Sequence, residues 1–277
     1  MIIKRIPLDS EKSDVYLDAY LADPIGDFVR NAILVIPGGG YGNVCSDREG
    51  EPIAQAFIPY GYNAFVLHYS VARSKKFPAQ LIEASLAIKH IRDNAEEYNI
   101  DPEKVFVTGF SAGGHLTGSI GILWNKPEVY EAIDMPYGYN KPNGVMMIYP
   151  VVSCEEEYWH RGSFENLLCS DEPSAEELKE VSLEKNVTGD ASPLFVMHTS
   201  NDSLVDVRNA LCLGAAYREN GLEFEMHIYP DAPHGVALGN KITDMGCIEH
   251  RNSEIAKWVE QAARWAESVI LKQNKAK

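Results

Sequence analysis

The stretch KVFVTGFSAGGHLTG, residues 104–118, runs a strand straight into a helix with no linker between them, and few folds can hold such a junction. Val105, Phe106 and Val107 have the apolar, β-branched character of a buried parallel strand, whereas the alanine, the glycines, His115 and Leu116 that follow suit only the opening of a helix. Ser111 sits at the corner. A turn this sharp strains its backbone, and the neighbours one turn away must lack a Cβ, a condition that Gly109 and Gly113 meet. The hydroxyl is then presented at the carboxyl end of a sheet, beside N–H groups of a helix N-terminus, where a nucleophile would stand. The same GxSxG pattern also suits a turn that merely permits close packing, so the partners have to decide.

Short apolar runs recur along the chain: VYLDAYL, AILVIP, NAFVLHYS, KVFVTG, GVMMIYP, PLFVMHTS and FEMHIYP. From the third onward the gaps carry helical patterns, at residues 50–58, in PAQLIEASLAIKHIRDNAEEYN, after Ser111 and at residues 204–219. This alternation predicts an α/β fold with a mostly parallel central sheet of about eight strands and helices on both faces. The two earliest runs, with no helix between them, are expected to form an antiparallel edge. Ile255, Trp258, Val259, Ala262, Trp265, Val269 and Ile270 share one helical face, so a C-terminal helix should pack on the sheet with both tryptophans in the core. A chain of 277 residues with 45% hydrophobic composition suits a single α/β domain over residues 1–277. One region, at about residues 153–190, breaks the rhythm: it is rich in glutamate, has one clear helix after Pro173 and otherwise reads as an irregular, lid-like insertion.

A balance of 25 basic against 40 acidic residues, net charge −15, repels phosphate backbones and anionic lipid surfaces, so neither nucleic acid nor a membrane is expected as a partner. The cysteines, Cys45, Cys154, Cys169, Cys212 and Cys247, are odd in number and lack metal-type spacing, which suggests reduced thiols and no metal site. The opening MIIKRIPLDSEKSD has no apolar core like that of a signal peptide, and no run reaches membrane length, so a cytoplasmic protein is expected.

A serine nucleophile needs a base within hydrogen-bond reach, and the base needs an orienting carboxylate. His115, one turn beyond Ser111 on the same helix, should point away from it. His68 and His198 fall in or at the end of strand runs and read as core histidines; His90 and His250 lie on helical stretches and His227 inside the last strand. His234 differs, because YPDAPHGVAL places it in a loop at the carboxyl edge after the final strand. In FVMHTSNDSLVDV, Asp202 occupies the loop after the preceding strand, with Asp206 a turn further on as its competitor. The order Ser111, Asp202, His234 brings three distant loops to one edge of a doubly wound sheet. For the oxyanion, the loop GGGYGN offers Gly39 or Gly40 as a backbone donor, together with the N–H of Ala112. A phosphate cradle would need the lysine and hydroxyl of a P-loop, and GGGYG lacks the spacing of a dinucleotide fingerprint.

With GFSAG as elbow, PGGGYG as oxyanion loop, then Asp202 and His234, the sequence resembles the α/β-hydrolase superfamily from about residue 15 to the last helix. PGGGYGNVCSDREGEPIAQAF, GFSAGGHL and EMHIYPDAPHG are similar to its acetylxylan-esterase branch, although Pro37 replaces the histidine of HGGG lipases. The resemblance implies a cofactor-free serine esterase that releases acetyl groups from xylan or xylo-oligosaccharides through an acyl-enzyme. It leaves the Arg48 and Glu49 pair as either a brace for the oxyanion loop or a substrate contact. Tyr41, Val152, Trp159 and His160 come from loops expected near the pocket and are candidates for binding the acyl or sugar part; for Trp159, packing the insertion is an equal reading. Four alternatives share the residues: a general short-chain carboxylesterase, a peptidase of the prolyl-oligopeptidase type, an acyltransferase, and a noncatalytic binding protein. Oligomeric state is open.

Overall fold

The apolar runs become strands β1 (Ile2–Pro7), β2 (Tyr16–Leu21), β3 (Arg30–Ile36), β4 (Tyr62–His68), β5 (Ile100–Phe110), β6 (Gly144–Ile148), β7 (Leu194–Thr199) and β8 (Phe224–Tyr229) in a computed structural model. It describes residues 1–8 and 14–276, so part of the opening stretch MIIKRIPLDSEKSD lies outside the described residues. The strands form one eight-stranded sheet in the order β1-β2-β4-β3-β5-β6-β7-β8. From β3 to β8 all neighbours are parallel; β2 is antiparallel to both β1 and β4.

One expectation changes here. VYLDAYL and AILVIP do not pair with each other: β1 and β2 make the antiparallel edge, and β3 lies inside the sheet between β4 and β5. Residues 32–36 of β3 are all buried, as befits a strand covered on both faces, while β1 is half exposed along its length. Continuous apolar character in AILVIP therefore signals an interior strand, whatever its distance from the nearest helix.

Helices α1 (Ser46–Glu49), α2 (Glu51–Phe57), α3 (Ala79–Asp93), α4 (Ser111–Ile122), α5 (Pro127–Ala132), α6 (Arg161–Leu167), α7 (Ala175–Val181), α8 (Arg208–Glu219) and α9 (Trp258–Ala276) complete the chain. Buried residues of α3, α4 and α8 form one core against the sheet, and those of α2 and α9 form another on the opposite face. Trp258 and Trp265 belong to the second core, as their helical spacing predicts.

The segment at 153–190 is more ordered than its composition suggests. It carries two α-helices, α6 and α7, and its Phe164, Leu167, Val181 and Leu183 are buried in the α3/α4 core. Helix α7 has the reciprocal cap expected after Pro173: Ser174 Oγ accepts from the Glu177 N–H, and Glu177 Oε2 accepts from the Ser174 N–H. Helix α6 has no side-chain cap and only 7 residues, which is too short for an apolar period to show.

Candidate active site

Strand β5 ends at Phe110 and α4 begins at Ser111, so the serine takes the whole reversal in its own backbone, at φ +53°. A left-handed conformation on a non-glycine residue stores about 1–3 kcal/mol and has to be held by its surroundings. The flanking glycines make that possible through close approach. A Cβ at Gly113 would lie 2.2 Å from the Ile36 carbonyl oxygen and 2.4 Å from that of Pro37; one at Gly109 would lie 2.3 Å from the Gly113 carbonyl oxygen. Any side chain there would push β3, β5 and α4 apart.

The loops after β7 and β8 are stitched together: Asn201 Nδ2 donates to Asp231 Oδ1 at 2.5 Å and the Ala232 N–H donates to Asn201 Oδ1 at 3.1 Å. This places Asp202 beside His234. His234 Nδ1–H donates to Asp202 Oδ2 at 2.7 Å, which leaves Nε2 to accept from the Ser111 hydroxyl at 2.9 Å. The other oxygen, Asp202 Oδ1, accepts from the N–H groups of Leu204 and Val205 at 2.9 and 3.0 Å, so the carboxylate cannot swing. Burial alone would raise the Asp202 pKa, but hydrogen bonds from His198 and His234 outweigh it and hold the group well below the ordinary carboxylate range. The competing Asp206 faces outward, paired with the exposed Arg208 at 2.9 Å.

At the end of β3, the Gly38 N–H is already committed to Glu49 Oε2 at 2.8 Å. The N–H groups of Gly39 and Gly40 have no acceptor among the described residues, and Ala112 lies in the first turn of α4, where helical N–H groups are unpaired. Gly39 has φ +125°, and a Cβ there would lie 2.2 Å from the Asn43 carbonyl oxygen, so only glycine can make this turn.

The candidate substrate contacts divide. Tyr41 and Val152, expected near the pocket, have 1% and 0% exposure and no side-chain surface to offer. The Tyr41 hydroxyl instead donates to His115 Nδ1 at 2.8 Å, and Val152 packs inside the α3/α4 core. Trp159 is half-buried, with Phe164 stacked on its ring at 6.3 Å and Arg161 over it at 5.8 Å. His160 is half-buried and its Nδ1 bonds Ser163 Oγ at 2.8 Å. Its pKa is lowered, first by burial and then by the charge of His234, which puts its ring within electrostatic reach of the Ser111–His234 pair.

His115 points away from Ser111, as expected, and is wholly buried; its Nε2–H donates to the Val181 carbonyl at 2.7 Å, and burial lowers its pKa to about 4. His198 is more than a core residue, because its Nε2 donates to the Val205 carbonyl at 2.8 Å and approaches Asp202 Oδ2 at 3.4 Å. Only its spacing of four residues from Asp202 could have hinted at this. Tyr149, unremarked in GVMMIYP, packs its ring edge-on to His234 at 5.0 Å. Among the described residues, no group of three or more His, Cys, Asp and Glu side chains could hold a metal ion. A cleft of about 650 Å³ between the N-terminal ends of β7 and β8 and the last turns of α9 lies at the end of the sheet away from Ser111.

Compared with known proteins, residues 17–216 match the model of the BD-FAE family. The chain is 39% identical over 81% of its length to endo-1,4-β-xylanase B of Butyrivibrio fibrisolvens, and 30% identical over 75% to an acetylxylan esterase of Xylanibacter ruminicola. It spans only 35% and 41% of those two proteins. Among solved structures, it is similar over 96% of both chains to an acetyl ester-xyloside bifunctional hydrolase of Caldicellulosiruptor lactoaceticus, with 31% identity and a TM-score of 0.81.

Proposed function

This chain belongs to the BD-FAE family of α/β-hydrolase esterases, and from that premise we propose that it is a serine esterase removing acetyl groups from xylan or xylo-oligosaccharides. The observation that carries the reading is the unbroken hydrogen-bond chain from Ser111 Oγ through His234 to Asp202 at the carboxyl edge of the sheet.

In the proposed reaction, His234 Nε2 takes the hydroxyl proton as Ser111 Oγ attacks the acetyl carbonyl. Asp202 keeps the proton on Nδ1 and stabilises the imidazolium that forms. The oxyanion receives N–H groups from Gly39 or Gly40 and from Ala112. The sugar hydroxyl leaves with the proton from His234, and water repeats the sequence to release acetate and free Ser111. In this reading His160, carried by the segment at 153–190, is a candidate contact for the acyl or sugar part. The net charge of −15 favours a neutral substrate over an anionic one. The five cysteines are all free thiols, which suits a reducing compartment such as the cytoplasm.

The test is hydrolysis of a small aryl acetate by Ser111→Ala. Turnover should vanish while the fold, read by circular dichroism, is unchanged. A variant that still turns over at the parent rate would remove Ser111 from the reaction.

A further inference from the structure

Two elements must keep register for this chemistry: the oxyanion loop after β3 and the His234 loop after β8. They are far apart in sequence and come from strands separated by β5, β6 and β7. A set of side chains spans the gap. Glu49, 1% exposed, accepts from the Gly38 N–H through Oε2 at 2.8 Å and from the Tyr149 hydroxyl through Oε1 at 3.0 Å. The same Tyr149 hydroxyl accepts from the N–H of Ala237 at 3.1 Å, three residues beyond His234. Its ring is the one packed edge-on to the imidazole. Arg48 completes the set: its Nε lies 3.6 Å from Glu49 Oε1, and its guanidinium packs on Gly235, where a Cβ would lie 3.4 Å from Nη2.

With both oxygens engaged and no accessible surface, Glu49 has nothing left for a substrate. For Glu49 this favours the brace over the contact, and it enlarges the brace, since one carboxylate holds the donor side of the site and, through Tyr149, the base side. Burial raises the Tyr149 pKa well above the ordinary phenol value, with the Glu49 charge adding to it, so the hydroxyl keeps the proton it donates.

We propose that Arg48, Glu49 and Tyr149 act as one positioning unit that fixes the distance between the oxyanion donors and His234, so that proton transfer and oxyanion capture occur in a single geometry. The unit bonds neither Ser111 nor the oxyanion; it works through Gly38, Gly235 and Ala237 and through the Tyr149 ring against the His234 imidazole. The inference rests on the serine-esterase reading above.

The experiment is steady-state hydrolysis of an aryl acetate by Glu49→Gln, Tyr149→Phe and the double variant, with melting temperatures measured alongside and Ser111→Ala as reference. A misplaced donor or base lowers kcat by about 10- to 100-fold in each single variant. KM should stay within about threefold, because ground-state binding is untouched. The double variant should be no slower than the slower single, since both break the same unit. If Glu49→Gln does not fold, the kcat of Tyr149→Phe decides alone. Parent-like kcat with only a lowered melting temperature, or losses that multiply in the double variant, would overturn the proposal. Turnover surviving in Ser111→Ala would instead overturn the esterase reading beneath it.

Discussion

The neutral histidine buried on α4, one turn beyond Ser111, makes a prediction that needs no substrate. His115 is wholly buried, takes the Tyr41 hydroxyl on Nδ1 and gives its Nε2–H to Val181, so one uncharged ring ties α4 to the oxyanion loop and to the end of α7. Its pKa in the fold is about 4, against about 6.5 for a free imidazole. Between those values the unfolded chain binds a proton that the native state refuses. Stability therefore rises with pH across that window, is fully present above about pH 6.5, and drains away as the pH falls toward 4. The difference in pKa converts to about 3 kcal/mol between pH 7 and pH 4 at 1.36 kcal/mol per unit. In His115→Gln the amide can still accept from Tyr41 and donate to Val181, but it cannot titrate. Urea unfolding of both proteins at steps from pH 7 to pH 4 isolates the effect, because the lowered pKa values of His68, His90 and His160 act equally in each and cancel in the difference. The parent should lose about 3 kcal/mol more than the variant over that range. Parallel stability curves would mean that His115 is hydrated or charged in the native state, and the buried link would be wrong.

Other expectations follow from the same geometry. Gly113→Ala forces a Cβ into the carbonyl groups of Ile36 and Pro37, so its melting temperature should drop by the equivalent of about 3 kcal/mol or more; an unchanged melting temperature would contradict the close approach at the elbow. Asp202→Asn should lower kcat by about 10³- to 10⁴-fold with the fold intact, since His234 loses the group that orders its tautomer. Asp206→Asn, by contrast, breaks only an exposed pair with Arg208, and aryl acetate kinetics should stay within about twofold of the parent. Reversed effects in these two variants would exchange the roles of the carboxylates.

Residues whose position is marked by local punctuation were legible in the sequence. Ser111 stands between glycines at a strand end, Asp202 follows a strand in a polar turn, and His234 lies between a proline and a glycine; a parallel sheet must deliver all three to the same edge. What escaped was set by pairing over distance. The interior place of β3 depends on which strands lie beside it, and IIKRIP, with no buried position and a lysine and an arginine at its centre, lacks the continuous apolar run by which the other strands stand out. Tyr149 looks in sequence like the end of a strand, yet its hydroxyl meets a carboxylate 100 positions away. Tyr41 looked like a pocket residue because its neighbours are, but the left-handed turn at Tyr41, φ +56°, sends its side chain into the core.

The most direct test of the account is acetate release from acetylated xylo-oligosaccharides by the purified protein, with Ser111→Ala as control and an aryl acetate alongside. The account predicts serine-dependent release from the sugar. Cleavage of the aryl acetate alone would contradict the xylan assignment while leaving Ser111, His234 and Asp202 in their proposed roles.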